Sequence, residues 1–275
     1  LKFGFPLYIN YLLTFVFQRA DTLLIGAMLG SAEIALYEIA RKIPESIDML
    51  YTAFRQVYFP FISKLTSGGN RDKIKDLLNL STRLLAFCGF LSALGSILFG
   101  KEIIVFLFTD KYMASIPVFS IMMVGLTFNF IDYTLGYTLV AIGDTNKPAI
   151  INTVHTSISF LGYVLFIPRF GFIGAALSSI AGTSLVNPIN VFFLRKNKIQ
   201  AQFSPYLMPL LIFIGFAIPV ILLPPLNFFI KVLILVLFIV ASYIMDVIRM
   251  SDLLVLVQEI KSMGEIGRAS CRERV

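Results

Sequence analysis

The sequence predicts an all-α integral membrane protein of about eight transmembrane helices. First, 57% of its 275 residues are hydrophobic, 27 of them Phe, and only 14% are charged, a balance outside the range of soluble domains. Second, several apolar runs reach the roughly 20 residues that a helix needs to cross a hydrocarbon core about 30 Å thick. Third, Gly, Pro and Asn clusters such as "TSGGN", "GDTNKP" and "LPPLN" punctuate those runs where turns belong. No segment is long enough or polar enough for a separate soluble domain.

The first expected span, 4 to 29, carries Arg19 and Asp21 deep inside it. At 100° per residue, Asn10, Thr14, Gln18 and Asp21 share an arc of about 80°, with Arg19 pointing the opposite way. The second span, 34 to 62, contains "EIARKIPESIDMLYTAFRQ", Glu38 to Gln56. There Glu38, Arg41, Glu45, Asp48, Thr52 and Arg55 fall within an arc of about 100°. That stripe rises about 25 Å at 1.5 Å per residue, nearly the hydrocarbon thickness, with Lys42 at its edge. A charge at the centre of a spanning helix costs about 2.5 to 3.5 kcal/mol, so the stripe must face protein or a water-filled cavity.

Two structures satisfy that condition. One is an ion-pair ladder of Glu38 with Lys42 and Arg41 with Glu45, each four residues apart. The other is a cavity lining, suggested by Asp48 and Arg55, which have no opposite charge three or four residues away. If the first two helices turn near Ser31, Asp21 lies level with Arg41 and Lys42, and Arg19 level with Glu45. One of those levels is expected to hold a cross-helix ion pair, but not both on one contact face.

The third span is expected over 77 to 99. A shorter apolar piece, 102 to 115, is expected to lie along the membrane surface. The fourth span, 116 to 141, carries Asn129 and Asp132 on one face, and the fifth, 148 to 168, places His155 with Asn152 and Ser159. For His155 an interior hydrogen-bonded imidazole outweighs a proton relay. Asp132 is evenly balanced between structural partner and functional acid. The sixth span, 172 to 194, has Gly174, Ala175, Ala176 and Gly182, preceded by Gly171, small residues that permit close helix packing. Spans at 205 to 223 and 228 to 247 complete the set.

Orientation follows from loop charge. One set of loops holds Lys64, Arg71, Lys73, Lys75, Lys147, Arg195, Lys196 and Lys198, the other Lys101, Lys111, Arg169 and Lys231, eight against four. The richer side is expected to be cytoplasmic, with both ends of the chain inside. The chain starts at Leu1 and runs at once into apolar sequence, which reads as a fragment lacking its N-terminal part. The last residues, "EIGRASCRERV" from 265 to 275, read as translated sequencing adapter. Without their three Arg and two Glu the formal charge changes from +7 to +6. Cys88 would then be the only cysteine, which leaves no internal disulfide and no cysteine metal site. Residues for a catalytic constellation, a metal centre or a phosphate-binding loop are not found in the sequence, so the expectation is a non-enzyme without cofactor or metal. The basic loop "NRDKIKD" is explained by orientation rather than by nucleic-acid binding.

"DTLLIGAMLGSAEIALYEIARKI" followed by "FRQVYFPFISKL" resembles the start of the second lobe of prokaryotic polysaccharide flippases, within the multidrug/oligosaccharidyl-lipid/polysaccharide exporter superfamily. "LFGKEIIVFLFTDKYMASIPVFSIM", "AIGDTNKPAIIN" and "IPRFGFIGAALSS" follow in the order of that family. The resemblance covers roughly residues 1 to 198. It implies a second six-helix lobe over 1–200, two extra helices and a cytoplasmic tail over 201–264, and a similar first lobe as partner.

It also implies a protein of the prokaryotic cytoplasmic membrane. Its activity would be to flip a polyprenyl-diphosphate-linked oligosaccharide, by alternating access, for cell-surface polysaccharide such as O-antigen. Membrane lipids and that substrate would be its other partners. Arg41, Lys42 and Arg55 become candidates for the anionic head group. Asp21, Glu45 and Asp48, with Arg19, Glu38, Asp132 and His155, become candidates for ion pairing or ion coupling. The stripe itself is neutral, so a cationic cavity would need bases from the other lobe. A cation-coupled drug exporter of the same superfamily is the alternative, with a membrane glycosyltransferase or polymerase, or a scaffold without transport, further behind.

Overall fold

The computed structural model describes residues 19–144, 146–223 and 226–248, and among them every regular element is helical. The helices are α1 (Ala20–Met28), α2 (Ser31–Ser67), α3 (Arg71–Leu107), α4 (Ile116–Ala141), α5 (Asn146–Phe170), α6 (Phe172–Lys196), α7 (Ser204–Leu222) and α8 (Phe228–Ile244). The polar residues Asn10, Thr14 and Gln18 and the proposed adapter tail lie outside the described residues. Helices dominate because lipid offers no partner for a free backbone N–H or C=O, so each spanning segment must satisfy its own.

Among the described residues, five segments are long and apolar enough to cross a membrane: Arg71–Leu107, Asp110–Ala141, Ile150–Phe170, Phe172–Lys196 and Ser204–Leu222. With 37 residues α2 also has the length, but its charges lower its hydropathy, and α8 is a shorter apolar helix of 17 residues. The chain is a multi-pass membrane protein. The expected surface piece at 102 to 115 is corrected by the structure. Its first half extends α3 to Leu107; the chain then leaves the α-helix at Phe108 and Thr109, and Asp110–Ser115 forms a short 3-10 turn. Within "EIIVFLF" Ile104 continues the face that α3 already buries, while Val105, Phe106 and Leu107 are exposed. The break comes at Thr109, whose φ of 125° is rare for a β-branched residue.

At the centre, α4 packs against α2, α3 and α6, with Phe119, Ile131 and Leu135 fully buried. α5 and α6 form a tight antiparallel pair, joined at Gly171, which has φ 62°. The expected small-residue packing is seen here: a Cβ on Gly174 would strike the backbone carbonyl of Phe166, and one on Gly182 would strike Ser159 Oγ. α7 and α8 pack on α3, where Phe90 stacks on Phe213 and Phe87 on Phe238. Lys231 at the start of α8 pairs with Glu102 of α3 and lies over the Phe99 ring. The outward surfaces of α7 and α8 are apolar, as lipid contact requires. α2 runs unbroken through Pro44 and Pro60. It rests mainly on α4, and exposes Lys42, Ser46, Met49, Ala53 and Gln56 on its far side.

Candidate functional site

The site starts where α1 meets α2. The helix begins at Ala20, so Arg19 precedes it with non-helical angles, φ −113° and ψ 10°. Asp21 is 7% exposed. One of its carboxylate oxygens accepts from Tyr37 Oη at 2.8 Å and from Arg41 Nη1 at 3.0 Å, while the other accepts from the Thr22 N–H at 2.7 Å. Arg41 Nε donates to Glu45 Oε1 at 2.7 Å. Arg19 Nη1 stands 3.6 Å from Glu38 and 3.9 Å from Glu45, and the Thr22 hydroxyl donates to Glu38 at 2.9 Å. A buried charge is tolerable only when paired and hydrogen-bonded in this way.

Two sequence expectations are corrected here. Both cross-helix levels hold ion pairs, because the non-helical backbone at Arg19 lets its side chain reach α2 rather than point away. Glu38 pairs with Arg19 and Thr22 instead of Lys42; among the described residues Lys42 has no ion pair and is exposed. The Arg41 to Glu45 rung forms as expected.

Next to this network lies a cavity of about 390 Å³ between α1, α2, α4 and α6. Arg19, Asp21, Arg41, Glu45 and Asp48 supply its charged wall, and Asn129, Tyr133 and Ser179 face them. Asp48 Oδ1 is buried without a hydrogen-bond partner among the described residues. A second cavity, about 350 Å³, opens between α4, α5 and α6 nearer the basic end of the bundle. Asp132, Tyr133, Tyr137, Asn152, His155 and Asn190 line it. Asn190 Nδ2 donates to Asp132 at 2.6 Å, and His155 Nε2 lies 3.2 Å from Thr183 Oγ1. Tyr133 belongs to both walls. A further cavity, about 500 Å³ between α3, α7 and the end of α8, holds none of the candidate site residues.

The three basic candidates are not gathered. Arg41 is held by Asp21 and Glu45. Arg55 lies about 21 Å further along α2 at 1.5 Å per residue, exposed, with Nη1 donating to Tyr137 Oη at 2.8 Å and the guanidinium over that ring at 5.3 Å. Asn129 and Asp132, placed on one face from sequence, line different cavities, whereas Asn152 and His155 line the same one. Sequence reasoning missed Tyr37, Tyr133, Tyr137, Asn187 and Asn190. The pair of Asn residues three apart in the apolar stretch "LVNPIN" was a signal for the last two.

Known proteins are similar to parts of this sequence and to its fold. Residues 1–117 match the family model described as "Polysaccharide biosynthesis protein". The uncharacterized membrane protein MJ1068 of Methanocaldococcus jannaschii is 32% identical over 120 residues, 42% of this chain and 23% of that protein. The probable flippase AglR of Haloferax volcanii is 26% identical over 172 residues, 60% of this chain and 35% of that protein. Among solved structures, the lipid II flippase MurJ in an inward closed conformation aligns with a TM-score of 0.63 at 20% identity, over 87% of this chain and 53% of that one. The chain thus spans only part of the length of each. The chain is similar over residues 1–117 to a polysaccharide biosynthesis family, and over most of its length it shares the fold of a lipid II flippase.

Proposed function

We propose that the chain is one lobe of a transporter, not an enzyme. The transporter moves a polyprenyl-diphosphate-linked oligosaccharide across the prokaryotic cytoplasmic membrane by alternating access, for cell-surface polysaccharide assembly. The observation that carries this reading is the charged wall of α1 and α2, which lines a cavity inside a membrane-spanning bundle rather than being buried out of reach. Facing lipid, those charges would cost several kcal/mol, so the open side of the cavity meets a partner lobe, with residues 1–200 as this lobe and α7 and α8 as an added pair. Arg41 is already neutralised, which leaves the diphosphate to exposed Arg55 and Lys42, to Arg19 at 43% side-chain exposure, and to bases of the partner lobe.

The test is reconstitution of the full transporter in liposomes with a fluorescent polyprenyl-diphosphate oligosaccharide, using a membrane-impermeant quencher. Transfer between leaflets is expected. Drug efflux driven by a cation gradient, without glycolipid transfer, would overturn the reading. That exporter reading is favoured by one observation. The acids Asp21, Glu45 and Asp48 outnumber the bases Arg19 and Arg41 around the cavity, and one Asp48 oxygen is unpartnered among the described residues.

A further inference from the structure

The cavity between α4, α5 and α6 differs in chemistry from the charged one. Its wall combines two tyrosine rings, Tyr133 and Tyr137, with Asp132, Asn152, His155 and Asn190. Asn190 is 1% exposed, and its amide nitrogen is committed to Asp132, which leaves Oδ1 without a partner among the described residues. An unfilled acceptor at this depth calls for a donor from a ligand, because a buried polar group left unpaired costs about 1 to 3 kcal/mol. Asp132 adds carboxylate acceptors beside it, and Asn152 an amide that both donates and accepts. The remaining side of the cavity is ring surface together with the apolar side chains of Val140, Pro148, Ile151 and Val186.

A bare cation would satisfy the oxygens, but it would leave about 350 Å³ and two aromatic faces unexplained. That volume lies at the small end of the roughly 300 to 1,000 Å³ typical of small-molecule sites. A ring with apolar C–H faces and hydroxyl donors at its rim meets every feature of the wall: C–H faces against tyrosine, hydroxyls into Asp132 and Asn190. We propose that this cavity is a carbohydrate subsite that receives a neutral pyranose of the translocated glycan, separate from the charged wall that faces the diphosphate. The inference rests on the transport reading for its source of sugar. Tyr133, shared by both walls, sets the spacing between the sugar and charge-binding regions. Arg55, hydrogen-bonded to Tyr137 Oη, marks the outer edge of the sugar site on α2.

The experiment uses the whole chain in lipid nanodiscs with soluble methyl glucoside, methyl galactoside and N-acetylglucosamine, read by saturation-transfer NMR. At least one sugar should receive saturation at its ring C–H protons. Tyr137→Ala and Asp132→Leu should each reduce the signal at least fivefold. Tyr137→Phe should keep more than half of it, because stacking needs the ring, and exposed Lys111→Gln should change nothing. Circular dichroism and gel filtration check that each variant is folded; if Asp132→Leu fails, the near-isosteric Asp132→Asn replaces it with the same expected loss. No sugar signal from the parent chain, or a signal that survives Tyr137→Ala and the Asp132 variant, overturns the proposal. So does displacement of the sugar signal by sodium chloride but not by choline chloride, which would mark the site as a cation site. Sugar binding without glycolipid transfer in the liposome assay would leave the subsite standing and overturn the transport reading, so the two failures are distinct.

Discussion

Asp21 and Arg41 show at the residue scale how much of the site could be read from sequence. Their contact was expected from a hairpin turning near Ser31, since a charge on one helix was level with a charge on the next. The part that could not be read was the break at Arg19: φ and ψ at one residue decide which way a long side chain reaches, and no periodicity reports them. Because Asp21 is buried with Tyr37 and Arg41 on one oxygen, Asp21→Asn should leave the guanidinium with Glu45 as its one remaining carboxylate, and breaking a buried pair costs about 3 to 5 kcal/mol. The folded yield in membranes should fall sharply, and the double variant with Arg41→Gln should recover part of it. Equal yields for the single and double variants would show that the pair is not coupled. Arg55 stands apart, on the surface, with one hydrogen bond to Tyr137. Arg55→Gln should therefore leave the folded amount unchanged while lowering glycolipid transfer, since a charge-assisted contact is worth about 1.5 to 3 kcal/mol. Arg55→Lys should restore only part of the transfer, as it keeps the charge without the planar fork. Normal transfer by well-folded Arg55→Gln would remove Arg55 from the substrate path.

At the scale of elements, hydropathy located α4 through α8 to within about three residues, because the transition from lipid to water is abrupt and each of these helices ends near a turn-forming residue. It misplaced the C-terminal end of α3, where an apolar run crosses out of the hydrocarbon without a breaker. α8 is held differently from the rest. Only Phe238 and Ser242 are buried along it, and its polar tether is Lys231 to Glu102. Lys231→Met should accordingly raise amide hydrogen exchange across 228–244 while leaving the bundle's melting temperature within a degree or two, since an isolated pair of partly exposed charges contributes at most about 1 kcal/mol. A global loss of stability would mean that α8 is integral to the lobe rather than docked on it.

The whole molecule divides into a polar side, where α1 and α2 present their charges, and an apolar side formed by α7 and α8. Amphipathic geometry made the first legible from the stripe alone, but the assignment of residues to two cavities was not legible, since it depends on which helices become neighbours. Asn129 and Asp132 share a helical face, yet α2 closes over one and α5 over the other. Orientation is testable at this scale. In a background with Cys88 and Cys271 replaced by Ser, single cysteines at exposed Gly69 and Lys196 should resist an impermeant thiol reagent in intact cells, and one at exposed Lys111 should react. The site for the outer label is Lys111 rather than nearby Ser115, which is buried. The opposite labelling pattern would invert the topology.

The seam between α5 and α6 has a consequence for how this sequence can vary. At Gly174 the obstacle to a Cβ is the main chain of Phe166 and Ile167, which no rotamer change can move aside, so every single-nucleotide missense change of a glycine codon meets the same collision. Gly95 and Gly215 have nothing within 4 Å of a Cβ, and there an alanine should be neutral or favourable by up to about 1 kcal/mol. A saturation library scored for membrane-inserted protein should therefore leave position 174 empty of all alternatives while filling 95 and 215 freely. Tolerance of Ala at 174 equal to that at 95 would show that the two helices can separate without loss. Drift along this chain is then expected to be uneven for a reason unrelated to substrate: lipid-facing positions accept almost any apolar residue, whereas one glycine in the seam accepts none.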